Sequence, residues 1–151
     1  MASRNSILAA IVLGGLAAGT IDIGAAMLIS GKSMAFILQF IASGVLGEAS
    51  FDGGLGTIVL GALLQWAMSL IIAAIFVLAS LKFPRMRRRW VAAGPAYGVA
   101  TYFVMTYVVV PLSAVGGGWH FAPIPFIKNL AAMLVFGLII AAITRRYVKP
   151  V

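Results

Sequence analysis

Residues 57–81 read TIVLGALLQWAMSLIIAAIFVLASL, twenty-five consecutive positions without a charged side chain. At about 1.5 Å per residue this run makes a helix of roughly 37 Å, enough to cross a hydrocarbon core about 30 Å thick. Three further runs, residues 7–30, 91–114 and 124–144, have the same character, broken only by Asp22 in the first and Lys128 in the last. Apolar side chains make up 63% of the chain and charged ones 9%, so the solvent that suits it is lipid. A segment inside lipid must satisfy its own N–H and C=O groups, which leaves α-helices or a closed barrel. Barrel strands need about ten residues of strict apolar/polar alternation, and these runs have none. The expected fold is therefore all-α: a polytopic membrane protein with four transmembrane helices in a single domain over residues 1–151. A secretory signal, with Arg4 as its basic start and Leu16-Ala17-Ala18 as its cleavage region, fits the first run poorly because the apolar stretch continues well past it.

Orientation follows from the basic residues. Arg4 precedes the first run, and Lys82, Arg85, Arg87, Arg88 and Arg89 link the second to the third. Arg145, Arg146 and Lys149 follow the fourth, which leaves Lys32 and Lys128 on the other side. Nine against two predicts both termini in the cytoplasm and a single orientation in the membrane. In a soluble protein, Pro84-Arg85-Met86-Arg87-Arg88-Arg89-Trp90 and a net charge of +8 would suggest nucleic acid. Here these residues hold the loop inside, attract anionic lipid and set Trp90 at the interface, so no nucleic-acid partner is expected. Cysteine is absent, which excludes disulfides, thiol catalysis, iron–sulfur clusters and covalent haem in this chain.

The outer side carries more sequence than a turn requires. Residues 33–47 form an apolar stretch about half a span long, with Phe36, Ile37, Phe40 and Ile41 one turn apart, and predict a short interfacial or re-entrant helix. Glu48 and Asp52 follow, then Gly53-Gly54-Leu55-Gly56-Thr57. Backbone amides of such a turn can cradle an anion, but no Walker-type lysine accompanies it, and the simpler expectation is a flexible turn with Thr57 capping the second span. The second outer loop, Gly116 to Pro125, combines glycines with Trp119, His120 and Phe121 and reads as an interfacial anchor.

Faint internal similarity joins the two halves. Gly15 and Gly19 in the first run and Gly94 and Gly98 in the third are both GxxxG pairs, and residues 70–75 and 138–143 share the string LIIAAI. Two helical hairpins of like orientation would be related by an axis along the membrane normal. GxxxG pairs let backbones approach closely, either within the chain or between copies.

Polar groups inside the spans are the functional lead, because a charge near mid-bilayer costs about 2.5 to 3.5 kcal/mol on insertion scales. Asp22 is the one acid within a span. By helix rise it lies about 6 Å beyond the middle of the first helix, and Lys128 about 9 Å to the same side in the fourth. An ion pair is therefore possible, and Asn129, Gln39, Thr101 and Thr106 are candidates to join it beneath Glu48, Asp52 and His120. Three readings compete: a structural pair that fixes helix packing, a site that handles a proton or small solute, and an enzymatic site. A triad of His120, Ser113 and an acid is the one nominal catalytic set. One histidine supplies neither the two ligands of a haem nor the three of a zinc ion, so no cofactor or metal is expected.

Gly19-Thr20-Ile21-Asp22, residues 38–47 (LQFIASGVLG), Tyr97-Gly98 and Val110-Pro111-Leu112-Ser113-Ala114 resemble the recurrent blocks of small uncharacterised four-helix proteins of the bacterial inner membrane. The resemblance covers nearly the whole chain and implies their topology and location. That family has no assigned function. Similar sequences often carry a histidine where this chain has Gln65, so no metal or haem role carries over. Small multidrug carriers offer an architectural analogy, four helices with one acid in the first, but lack the long first outer loop. The expectation is thus a non-enzymatic inner-membrane module, homo-oligomeric or paired with another membrane protein, whose site is Asp22 and Lys128. The alternative is an accessory subunit that packs on a larger complex through its glycine faces.

Overall fold

A computed structural model describes residues 2–115 and 123–149, and every element among the described residues is helical. Its elements are α1 (Arg4–Ser30), α2 (Met34–Leu46), a 3-10 segment (Gly47–Asp52), α3 (Gly54–Lys82), α4 (Pro84–Arg88), α5 (Trp90–Val104), a π-helical segment (Met105–Val109), α6 (Val110–Leu112) and α7 (Pro123–Tyr147). Local chemistry sets several boundaries. The Ser3 hydroxyl accepts from the Ser6 amide at the start of α1, and Gly31, in the left-handed region at φ 66°, ends it. Ser33 then accepts from the Phe36 amide and starts α2. Thr57 does not cap α3 as expected. The helix begins at Gly54 with Gly53 as its N-cap, and the Thr57 hydroxyl, already inside, donates to the Gly54 carbonyl at 3.0 Å. The π-helical turn directly precedes Pro111, whose ring would press on the carbonyl of Tyr107 in a regular helix, so a wider turn makes room for it.

Five helical stretches are long and apolar enough to cross a membrane: Arg4–Ser30, Met34–Asp52, Gly54–Lys82, Trp90–Leu112 and Ile124–Tyr147. Four were expected. The fifth arises because the 3-10 segment extends the outer helix from thirteen residues to nineteen. That stretch is not one straight rod. The Ser50 hydroxyl donates to the Gln39 carbonyl at 2.8 Å, and the Phe36 and Phe51 rings lie 5.5 Å apart, so the 3-10 segment doubles back along α2. At Gly47 (φ 65°) the chain changes direction.

Helices α1, α3, α5 and α7 form an up-and-down bundle. Successive contacts run antiparallel: Gly15 and Gly19 of α1 meet Leu70 and Trp66 of α3, and Gly94 and Gly98 of α5 meet Leu138 and Leu134 of α7. Gly14 faces Ile140 and Ile143 of α7, so α1 lies between α3 and α7. The ring closes through Phe76 and Tyr97, whose rings are 5.1 Å apart. The core they bury also holds Ala18, Ala73, Phe136, Ile140 and Ala141. The two hairpins match in detail, since the first glycine of each GxxxG pair sits on the leucine that opens each LIIAAI string. Large apolar side chains such as Leu28, Leu55 and Leu112 are exposed around the outside, as lipid contact requires.

The Tyr97 hydroxyl donates to the Ile72 carbonyl at 2.7 Å and ties α5 to α3. Interhelical hydrogen bonds in membrane bundles average about 0.6 kcal/mol. Tyr97→Phe should therefore cost about that much in a reversible detergent-unfolding titration, with the midpoint lowered and the slope unchanged.

Nine of the basic residues cluster at the bundle end that holds the starts of α1 and α5 and the ends of α3 and α7. Arg87 is buried there, and its guanidinium donates to the Ser80 carbonyl at 2.6 Å, closing the last turn of α3 with a cation where the helix dipole favours one. Arg145 of α7 lies over the Trp90 ring at 5.4 Å, fastening α7 to the start of α5.

Candidate functional site

Asp22, Gln65, Lys128 and Asn129 come from α1, α3 and α7, three helices that share no sequence neighbourhood. The antiparallel packing sets them at one level, where they line a single cleft of about 570 Å³ with α2 as its cover. Lys32, in the link between α1 and α2, stands at its rim with the ammonium 5.3 Å from the Phe36 ring. Between these polar groups the walls are apolar, built by Ala26, Ile37, Phe40, Ile41 and Ile124.

The Asp22 carboxylate accepts from Gln65 Nε2 at 3.0 Å, and the same nitrogen donates to the Gly19 carbonyl at 3.2 Å. Both amide protons are spent on acceptors, which fixes the side-chain orientation, since a flipped amide would set oxygen against oxygen. Gln65 Oε1 is left without a donor among the described residues. At the next residue, Trp66 Nε1 donates to the Thr20 hydroxyl at 3.1 Å, so two side chains of α3 read the same stretch of α1.

The ion pair that similar depths made possible is not formed. Asp22 and Lys128 line the same cleft but lie farther apart than the 4.0 Å of an ion pair, and Lys128 is exposed. Asn129 joins the cleft as expected. Gln39 does not. It sits on the other side of α2, where its amide reaches the Thr57 hydroxyl at 3.5 Å. Thr101 and Thr106 are buried in α5 and its π-helical extension and do not line the cleft. Glu48 and Asp52 are exposed on the 3-10 segment, also away from it. His120 lies outside the described residues. The Ser113 hydroxyl donates back to the Val110 carbonyl at 2.7 Å. Among the described residues no group of three or more His, Cys, Asp or Glu side chains gathers as a metal site would.

A second cleft, of about 310 Å³, lies farther along the same face of α2, where Gly44 and Val45 meet Leu64 and Met68 of α3 and Met105 and Val109 of the π-helical segment. Phe40, Ile41 and Gln65 line both spaces. Gln65 thus holds Asp22, braces α1 and forms part of the wall between two cavities. The sequence signal for it was slight, a lone amide in an apolar run with its partner on another helix.

No family model, curated protein or solved structure matches this chain.

Gly15, Gly19, Gly94 and Gly98 each pack on a neighbouring helix of the chain. A Cβ on Gly15 would lie 2.9 Å from the Leu70 Cα, and one on Gly94 would lie 2.9 Å from the Leu138 Cα. Gly98 and Gly137 pack backbone against backbone in the α5–α7 contact, and Gly61 lets the Leu38 carbonyl of α2 rest directly on α3.

Proposed function

We propose that this chain is a non-enzymatic integral module of the bacterial inner membrane that handles a small solute or a proton at the cleft of Asp22 and Lys128. The observation that carries this reading is an asymmetry between two hairpins that otherwise pack alike. Counted from the matched glycines and leucines, Thr101 stands in α5 where α1 has Asp22, and Met133 stands in α7 where α3 has Gln65. The second hairpin closes its glycine contact without an acid or an amide. Packing of this kind therefore does not need the polar pair, and a charge that costs about 2.5 to 3.5 kcal/mol to insert has another use.

Four spans, α1, α3, α5 with α6, and α7, make up the membrane domain, with α2 as a short helix lying across its outer end. Two observations support this. The straight part of α2 has thirteen residues, about 20 Å and short of the hydrocarbon core. Its two ends also meet one end of the bundle, for it starts just beyond α1 while its Gly44 carbonyl accepts from the Ala114 amide beyond α6 at 2.9 Å. The nine-to-two bias of basic residues supports cytoplasmic termini and contact with anionic lipid on that face. Assembly is homo-oligomeric or with another membrane protein. Attachment to a larger complex through the GxxxG faces has less support, because Gly15, Gly19, Gly94 and Gly98 already pack inside the chain.

Native mass spectrometry of the protein extracted gently from its own membranes tests the proposal. A homo-oligomer that retains a small ligand supports it and gives the ligand's mass. A complex of fixed stoichiometry with a second membrane protein, and no retained ligand, would replace it with the accessory-subunit reading.

A further inference from the structure

Resting on that reading of the cleft as a ligand site, we infer that its ligand is a zwitterion with a primary ammonium group a few ångströms from an anionic group. A free apolar amino acid and the headgroup of an ethanolamine phospholipid both carry that chemistry. The cleft presents two kinds of polar group. Its acceptors are the Asp22 carboxylate and the spare Gln65 Oε1, and its cations are the ammonium groups of Lys128 and Lys32. These opposite charges share one space without closing on each other to 4.0 Å, and Gln65 holds Asp22.

Each simpler ligand leaves part of the cleft unsatisfied. A plain anion would pair with the lysines but face the Asp22 carboxylate, and a plain cation would pair with Asp22 but face two ammonium groups. A neutral apolar molecule would offer no partner to Lys128 or to the spare Gln65 Oε1 in an apolar surround, where missing hydrogen bonds cost most. A ligand carrying both charges bridges the gap that the protein leaves open. Its ammonium group donates to Asp22 and Gln65 Oε1, its anionic group accepts from Lys128 and Lys32, and its apolar part lies against Ile37, Ile41 and Ala26. Asn129 supplies both a donor and an acceptor beside Lys128.

The test uses the full chain in nanodiscs of phosphatidylcholine and phosphatidylglycerol, titrated calorimetrically with L-leucine, leucine methyl ester and N-acetyl-leucine. A parallel arm adds phosphatidylethanolamine and reads lipid retention by native mass spectrometry. If the ligand is a free amino acid, leucine binds at least tenfold tighter than the ester, which lacks the anion, and than the acetyl derivative, which lacks the ammonium. If it is a headgroup, phosphatidylethanolamine is retained over the other two lipids. In either case Asp22→Asn and the exposed-site variant Lys128→Gln each weaken binding at least tenfold, and Lys128→Gln keeps the test sound should Asp22→Asn fold poorly. A singly charged analogue that binds as well as leucine, and still depends on Asp22, would overturn the zwitterion while leaving the cleft a ligand site. Binding of no probe, in both arms, overturns the zwitterion; loss of the cleft as a site would show separately, as an Asp22→Asn protein with unaltered solute movement.

Discussion

Gly98→Ala is expected to destabilise the bundle by about 3 kcal/mol, the upper end of what overpacking costs. A methyl group at this position would overlap the Met133 carbonyl, and backbone cannot rotate out of the way as a side chain can. The helices α5 and α7 would have to separate, and Gly94 and Gly137, which share the contact, would lose theirs as well. Gly24→Ala is the matched control. It also lies in a span, but nothing stands within 4 Å of the added methyl group. It should be neutral or gain about 0.5–1 kcal/mol, as alanine does over glycine within a helix. Detergent-unfolding midpoints of the two variants measure the difference. Equal effects would mean that helix propensity, rather than the α5–α7 contact, sets the response.

Asp22→Asn should keep the fold and abolish solute movement, with at least a tenfold loss of flux into liposomes loaded with purified protein. Asparagine is nearly isosteric, and its carbonyl oxygen can still accept from Gln65 at the position the carboxylate holds now. No ion pair is lost, because Lys128 does not reach Asp22. The unfolding midpoint should therefore stay where it is or rise, since a charge inside the spans is removed. The solute whose mass native spectrometry gives is the one to assay. A misfolded or disassembled variant would make Asp22 a packing residue, and unaltered flux in a well-folded one would deprive the cleft of its role.

The spans were legible because burial in lipid needs a long apolar run and little else. The runs at 57–81 and 124–144 fall within α3 and α7, where α3 extends three residues earlier through its glycines. The π-helical turn was not legible, since a helix that is apolar on all sides shows no change of register when it widens. Counting helix rise set Asp22 and Lys128 at similar depths, and the structure places both along one cleft, because residues counted on long antiparallel helices translate into ångströms. Gln39 could not be placed this way, because the face of α2 that it occupies, turned toward Thr57, is set by tertiary packing. Gln65 was passed over for a different reason. Glutamine in an apolar run can bond to its own helix or to any neighbour, and its partners Gly19 and Asp22 lie more than forty residues back.

The place of α1 between α3 and α7 has a consequence for how the protein is made. Its contact with α3 can form as soon as the first hairpin has left the ribosome, but the face at Gly14 waits for Ile140 and Ile143. Counted from the end of α3 at about 5–20 residues per second, that is roughly 3 to 12 seconds of translation. Throughout that interval a stripe of small residues on the first helix lies open to lipid and to any other newly made helix in the bilayer. The nascent chain is therefore open to wrong partners along a surface that the finished protein buries, where Ala10 and Ala18 are fully covered.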